Sequence, residues 1–280
     1  MSIPLIACRR GDEAVSRNGG ADPAQELGPS EGQGLKPRID FIIAGAQKAG
    51  TTALFDYLSD QPQIGLSDVK EVHFFDDEGQ DWSAPDYGAY HAHFDLADTG
   101  RTWGEATPIY LYWKDSLPRI RAYNPAIRLI VLLRDPVGRA FSHWKMEFAR
   151  GAETHPFAWC IREGRQRLFD AEPWGFHREF SYVERGFYGA QIEHLLSLLP
   201  ADQLLVLRAE DLETAPDAVL AKVSGFLGTP APPPVAPRRV HVGRDIAYPS
   251  ALTPADEALL RRLYAQDIAR LEALTGISYP

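Results

Sequence analysis

The chain has 280 residues, 45% hydrophobic and 24% charged, which is ordinary globular composition with material for one large core. A formal net charge of −9 excludes a general nucleic-acid binder, because such proteins present a basic face to phosphates, so any anion site has to be local. Cys8 and Cys160 form no short metal-binding spacing, and no apolar run approaches the roughly 18 residues of a membrane span. The opening apolar residues are too few, and lack the basic lead-in, for a secretory signal. The expectation is a cytoplasmic protein with no structural zinc.

Residues 1–37 are rich in Gly, Glu, Pro, Ser and Ala and show no period of two or of 3.6, which predicts a flexible tail ahead of one domain over 38–280. From residue 38 strands and helices alternate. RIDFIIAGA reads as a buried strand, TTALFDYLSD as a helix with Leu54, Phe55 and Leu58 on its apolar side, and 64–66 as a short extended piece. A strand is predicted near 102–106 and a helix over 117–123. RLIVLL at 128–133 is apolar throughout, as suits a strand covered on both faces. Pro136 sits well in the first turn of a helix carrying Val137, Ala140, Phe141, Trp144 and Phe148 at helical spacing. Helix follows at 156–169 and 187–199, strand at 203–208, helix at 219–227, a proline-rich loop at 229–237 and a closing amphipathic helix at 254–274. This alternation predicts an α/β fold, three-layered and P-loop-like, with a mostly parallel sheet whose strands deliver ligands to their carboxyl ends.

The segment FIIAGAQKAGTT at 41–52 carries the first chemical signal. Gly45 and Gly50 allow a tight turn, so the amides of residues 47–52 can converge on one oxyanion beside the dipole of the helix opening at Thr51. Lys48 adds a charge, and Thr51 and Thr52 add hydroxyls. In nucleoside-triphosphatase loops the lysine follows the second glycine, whereas Lys48 precedes Gly50, so a phosphate-like group held without Mg²⁺ is expected. At the end of the 128–133 strand Arg134 is followed two helical turns later by Ser142, a pair able to share an anion. In KEVHFFD at 70–76, Glu71 and His73 fall on one face if the segment is extended, making Glu71 a candidate base. A carboxylate simply paired with Lys70 is the alternative. Basic residues concentrate at Arg134, Arg139, His143, Lys145 and Arg150, and again at Arg238, Arg239, His241 and Arg244. Taken singly, each reads as part of a solvated face.

GAQKAGTT, KEVHFFD, EATPIYLY at 105–112, RDPVGRAFSHW at 134–144 and RGFYGAQIEHLL at 185–196 occur in the order seen in sulfotransferases that use 3′-phosphoadenosine 5′-phosphosulfate. Over residues 38–250 the chain resembles the branch containing the heparan sulfate 3-O- and N-sulfotransferases and their bacterial relatives. The resemblance implies that Gln47, Lys48, Ala49, Gly50, Thr51 and Thr52 hold the 5′-phosphosulfate of this cosubstrate, and that Arg134 and Ser142 hold the 3′-phosphate, with no metal required. It also implies that Gly243 and Arg244 close over the nucleotide, although HVGRDIAYP lacks the lysine that relatives often place beside that glycine. The chain also lacks the late cysteine pair of animal Golgi members.

The implied reaction moves the sulfuryl group in line to an acceptor hydroxyl, leaving 3′-phosphoadenosine 5′-phosphate. Lys48 would stabilise the departing oxygen and Glu71 would take the hydroxyl proton. His73 would orient Glu71 or touch the acceptor, Asp76 would support the loop, and Glu105 would anchor a strand end. The acidic run Asp76, Asp77, Glu78, Asp81 and Asp86 disfavours a heavily sulfated polymer, which points to a small-molecule or glycan acceptor. Trp82, Tyr87, Tyr90, Trp103, Tyr110, Tyr112 and Trp113 offer a ring-binding wall or core packing. Competing readings are transfer to an amine, a P-loop kinase or NTPase using ATP and Mg²⁺, and a non-catalytic nucleotide binder. The lysine's position and the Arg134–Ser142 pair weigh against ATP; Glu71 weighs against a mere binder.

Overall fold

The structure is a computed structural model and describes residues 39–170, 172–238 and 246–280. The expected tail at 1–37, and Gly243 and Arg244, lie outside the described residues. Five strands, β1 (Phe41–Gly45), β2 (Ile64–Leu66), β3 (Thr102–Ala106), β4 (Arg128–Leu133) and β5 (Leu204–Arg208), form one sheet in the order β2-β3-β1-β4-β5. All four pairings are parallel, so the expected mostly parallel sheet is wholly so among the described residues.

Helices α1 (Thr51–Ser59), α2 (Tyr87–His91), α3 (Ser116–Tyr123), α4 (Pro136–Arg150), α5 (Phe157–Cys160), α6 (Tyr188–Leu198), α7 (Ala209–Thr214), α8 (Pro216–Leu227) and α9 (Pro254–Thr275) flank the sheet. β1 is buried at every residue and β4 at all but its first, because parallel strands covered by helices on both faces have no solvated side. The chain leaves β1 toward β2 and β3 on one side and later toward β4 and β5 on the other, so the strand order switches direction at β1. Such a switch leaves a crevice beyond the carboxyl ends of the central strands.

Local chemistry fixes the pieces that border this crevice. In the pairing with β4, β1 advances two residues, Ile43 to Gly45, while β4 advances one, a bulge at the rim of the site. A Cβ on Gly45 would meet Leu111 at 2.7 Å, so the segment after β3 can lie against the end of β1 only over a glycine. α4 starts at Pro136, capped by Asp135 Oδ2 accepting from the Gly138 amide at 3.0 Å.

Two expectations about elements are corrected. The helix expected over 156–169 is divided into α5 and a 3₁₀ segment at Glu163–Phe169; Gly164, which disfavours a continuous α-helix, lies at the start of the second piece with the Trp159 ring packed 2.7 Å from where its Cβ would sit. Residues 70–76 are not extended: Glu71 and His73 have φ of 67° and 58°. Helices α2 and α7 are too short to show a helical period in sequence. Among the described residues no helix is long and apolar enough to cross a membrane.

Candidate active site

Among the described residues only three that are not glycine hold a positive φ: Lys48, Glu71 and His73. Each such conformation costs on the order of 1 to 3 kcal/mol and persists where the surroundings impose it, most often at functional sites. They are the same three residues that the sequence offers as catalytic.

Lys48 and Gly50, with φ of 69° and 88°, turn the chain from β1 into α1. Among the described residues the amides of Gln47, Lys48 and Gly50 find no acceptor, and the first turn of α1 adds its own free N–H groups. Thr51 is buried and Thr52 half-buried at this helix start, beside a buried Ala49. The Lys48 ammonium contacts the Met146 thioether of α4 at 3.7 Å and no carboxylate. Burial, and then the charge of Arg150, lower its pKa, while Glu147 and Glu71 work against them. Lys48 therefore lies within the field of both Glu71 and Arg134.

Gln47 is held from behind by Arg185, whose guanidinium donates to Gln47 Oε1 and to the Arg178 carbonyl at 2.7 Å, and whose Nε donates to Ser181 Oγ at 2.8 Å. It stacks on Tyr112 at 4.9 Å, and burial lowers its pKa to about 10. The motif at 185–196 contains Arg185 without marking it as a site residue; its burial is the signal, and an arginine in a mixed helical pattern does not display it.

Arg134 leaves the end of β4 beside this loop, its carbonyl accepting from the Tyr188 hydroxyl at 2.9 Å. Its guanidinium has no ion-pair partner among the described residues and passes 3.9 Å from where a Cβ on Gly138 would sit. Gly138 and Ser142 are four residues apart on α4, so the Arg134 guanidinium lies against the helix face that carries Ser142. Within this basic stretch Arg150 is exposed as expected, whereas Arg139 and His143 depart from a solvated face. Arg139 and His143 are fully buried; the ring nitrogens of His143 make no hydrogen bond among the described residues, and Nε2 lies 3.7 Å from the Glu147 carboxylate. Burial, with the charges of Arg185 and Arg139, drives the His143 pKa well below its ordinary value.

The third contribution comes from the end of β3. The Glu71 amide donates to the Ala106 carbonyl at 3.0 Å, which places the 70–76 segment across the carboxyl end of that strand. Glu71 and His73 do face each other, through left-handed turns rather than a pleat: Glu71 Oε2 is 3.5 Å from His73 Nε2, while Oε1 accepts from Lys70 at 2.7 Å. The Lys70 pairing and the link to His73 are both present. His73 Nδ1 is 3.0 Å from Oδ2 of Asp76, a fully buried carboxylate also gripped by Arg178. Hydrogen bonds to Asp76 and Glu71 raise His73 to about 9. Burial works to raise Glu71, but bonds from His73 and Lys70 prevail and hold it at about 2. Both are charged at neutral pH. Glu105 is fully buried, burial raises it to about 7, and it accepts from Tyr90 at 2.9 Å and Thr107 at 2.6 Å, an anchor beneath the strand end.

The aromatic wall expected at 82–113 is largely interior: Tyr90, Trp103, Tyr110, Tyr112 and Trp113 are buried, and Trp82 packs on Phe74 and Phe75 under Arg119. Of the second basic cluster, Arg238 is described; it pairs with Asp56 at 3.0 Å and with Asp60, and lies over Tyr57 at 4.8 Å, tying the proline-rich loop to α1.

Residues 38–241 match the family model described as the sulfotransferase domain. The chain is 30% identical over 200 residues to human heparan sulfate glucosamine 3-O-sulfotransferase 3B1, covering 70% of this chain and 48% of that protein. It is 23% identical over 266 residues to the membrane-associated sulfotransferase kil1 of Dictyostelium discoideum, covering 67% and 55%. The chain thus spans about half the length of these curated relatives. A sulfotransferase of Alicyclobacillus acidocaldarius superposes with a TM-score of 0.70 at 28% identity, covering 86% of this chain and 97% of that one. By its family match and by its relatives, the chain belongs to the sulfotransferase domain family.

Proposed function

We propose that this protein transfers a sulfuryl group from 3′-phosphoadenosine 5′-phosphosulfate to an acceptor hydroxyl. The observation that carries this reading is the coincidence of backbone strain with chemistry at Lys48, Glu71 and His73. The donor set fits a nucleotide with phosphates at both ends. The unpartnered amides of Gln47, Lys48 and Gly50, with Thr51 and Thr52, suit the 5′ end, and Arg134 with Ser142 suits the 3′-phosphate. Gly243 and Arg244 are assigned to the nucleotide on family resemblance alone.

The donor supplies an activated sulfur whose bond to the bridging phosphate oxygen breaks as the new bond to the acceptor oxygen forms. Charge grows on the departing oxygen, where the Lys48 ammonium and the loop amides meet it; removing one such donor typically costs about 10² to 10³ in rate. The hydroxyl proton passes to Glu71, a contribution of roughly 10² to 10⁴. Glu71 is ionised at neutral pH, and the bonds from His73 and Lys70 that hold it at about 2 also weaken it as a base, so its service as base requires one of them to loosen as the acceptor binds. His73, bridged between Asp76 and Glu71, fixes the carboxylate's direction rather than relaying a proton.

The test is transfer of radiolabelled sulfate by native protein and Glu71→Gln, beside thermal shift with 3′-phosphoadenosine 5′-phosphate and with ADP, each with and without Mg²⁺. Stabilisation by the bisphosphate independent of Mg²⁺, with transfer lost in Glu71→Gln, is the expected result. Stabilisation by ADP and Mg²⁺ alone overturns the donor assignment and favours a kinase or NTPase; native-rate transfer by Glu71→Gln removes it as the base.

A further inference from the structure

Arg185 is 2% exposed, and among the described residues its guanidinium meets no carboxylate. Its partners are neutral oxygens on separate pieces of chain: the Gln47 side chain of the cradle, the Arg178 carbonyl at 2.7 Å, the His177 carbonyl at 3.4 Å and Ser181 Oγ at 2.8 Å. Burying a cation without a counter-ion is costly, so what this one contributes is geometry: a planar fork of donors fixes pieces of chain that a lysine's compact ammonium cannot span. Ser181 Oγ closes the group by donating to the His177 carbonyl at 2.6 Å. The backbone at 177–178 is thereby pinned to the turn that carries Lys48.

The Arg178 side chain leaves this pinned backbone toward the other half of the site. Its guanidinium lies over Trp113 at 4.4 Å and donates both to Asp76 Oδ2 and to the Asp76 carbonyl. Asp76 is fully buried, and the same Oδ2 is 3.0 Å from His73 Nδ1. Side chain and main chain of residue 76 are gripped together, so the carboxylate that bonds His73 turns only by breaking a charge-assisted bond. An exposed ion pair is worth little in itself, and the Arg178 side chain is 44% exposed; what sets this pair apart is that its carboxylate is wholly buried and holds His73. His73 in turn stands 3.5 Å from Glu71. One continuous run of contacts therefore joins Gln47 in the cradle to Glu71 across the crevice.

We infer that Arg185 and Arg178 are positioning residues that set Glu71 from the donor cradle. Arg185 fixes Gln47 and the Arg178 backbone, Arg178 fixes Asp76, and His73 then holds the Glu71 carboxylate in one direction relative to Lys48. This rests on the sulfuryl-transfer reading. In-line transfer needs the base and the cation at the departing oxygen held at one separation. The sheet places the two backbones, through the ends of β1 and β3, and these bonds place the side chains.

The experiment follows the His73 Nδ1–H proton by NMR at neutral pH, in the full chain labelled with ¹⁵N histidine, its signal identified by its loss in His73→Asn. Calorimetry gives the affinity for 3′-phosphoadenosine 5′-phosphate. Arg178→Ala should speed exchange of that proton with water about 10-fold or more, the loss of a charge-assisted bond, and should leave bisphosphate affinity within about 2-fold of native. Arg178→Lys, which keeps one bond to Asp76, should recover part of the protection. Arg185→Lys should weaken the bisphosphate about 3- to 10-fold, the worth of a lost hydrogen bond, and should also speed His73 exchange. In the double variant Arg178→Ala with Arg185→Lys, exchange should be no faster than in Arg178→Ala alone, because Arg185 reaches His73 through Arg178. The Arg178 side chain is half-exposed, so its variants carry the test even where Arg185→Lys does not fold. Absence of a protected Nδ1–H signal in the native protein, native exchange in either single variant, or additive effects in the double variant overturns the inference and leaves the donor assignment standing. Failure of the native protein to bind the bisphosphate overturns the donor assignment, and this inference with it, whatever His73 shows.

Discussion

The Glu71 carboxylate and the His73 imidazole stand 3.5 Å apart on two left-handed residues separated only by Val72. Their coupling gives stability a defined pH dependence. His73 is raised from 6.5 to about 9, so its contribution is full below about 6.5 and is lost as pH rises through 9. Glu71 is lowered from 4.5 to about 2, so its contribution is full above 4.5 and is lost as pH falls through 2. The melting-temperature advantage of native protein over His73→Asn should therefore be largest near pH 6 and shrink toward zero above about pH 9. A difference that stays level from pH 6 to 10 would contradict a charged His73.

Lys48 meets a thioether instead of a carboxylate, so no ion pair has to break before the ammonium can serve a departing oxygen. Lys48→Ala should lower kcat by about 10² to 10³. It should leave the melting temperature close to native, because a single sulfur contact is lost and the left-handed backbone is no easier for alanine. Single-turnover transfer at saturating donor separates this effect from weakened binding.

The Arg134 guanidinium has no ion-pair partner among the described residues, and it lies against the α4 face that carries Ser142. If this pair holds a 3′-phosphate, Arg134→Ala should weaken 3′-phosphoadenosine 5′-phosphate by about 10- to 100-fold, the worth of a charge-assisted hydrogen bond. ADP, which has no 3′-phosphate, should bind native and variant alike. Calorimetry with both nucleotides reads the difference directly, and equal losses for the two would remove Arg134 from that end.

The sheet was legible because β1 and β4 are uninterrupted apolar runs, and a run of that length between turn residues has few other uses. The cradle was legible because glycine, lysine and threonine types carry the chemistry regardless of tertiary context. What sequence could not supply was burial. Arg139, His143 and Arg185 look like surface cations until the helices that cover them are in place, and the aromatic residues from Trp82 to Trp113 are consumed by packing that no spacing rule reveals. Glu71 and His73 were paired by a period of two and are paired in fact, but by left-handed turns that only the contact with the β3 end imposes.

The start of α6 is capped from a distant helix: Asp267 of α9 accepts from the Gly189 amide at 2.7 Å and the Ala190 amide at 2.8 Å. The approach is close enough that a Cβ on Gly189 would meet the Asp267 carbonyl at 2.3 Å. Asp267 thus satisfies free N–H groups of a first turn and places a carboxylate at the positive end of the helix. Burial raises its pKa, and the two amide bonds pull the other way. Asp267→Ala would leave both amides without a partner in a closed contact, and should lower stability by about 1 to 3 kcal/mol in urea unfolding. Asp267→Asn keeps an acceptor oxygen and should recover part of that loss. Because α6 also carries Tyr188, whose hydroxyl holds the Arg134 carbonyl, the alanine variant should weaken bisphosphate binding as well, while Asp267→Asn should bind near the native level. Native stability in Asp267→Ala would show that the cap adds nothing beyond the packing of α6 on α9.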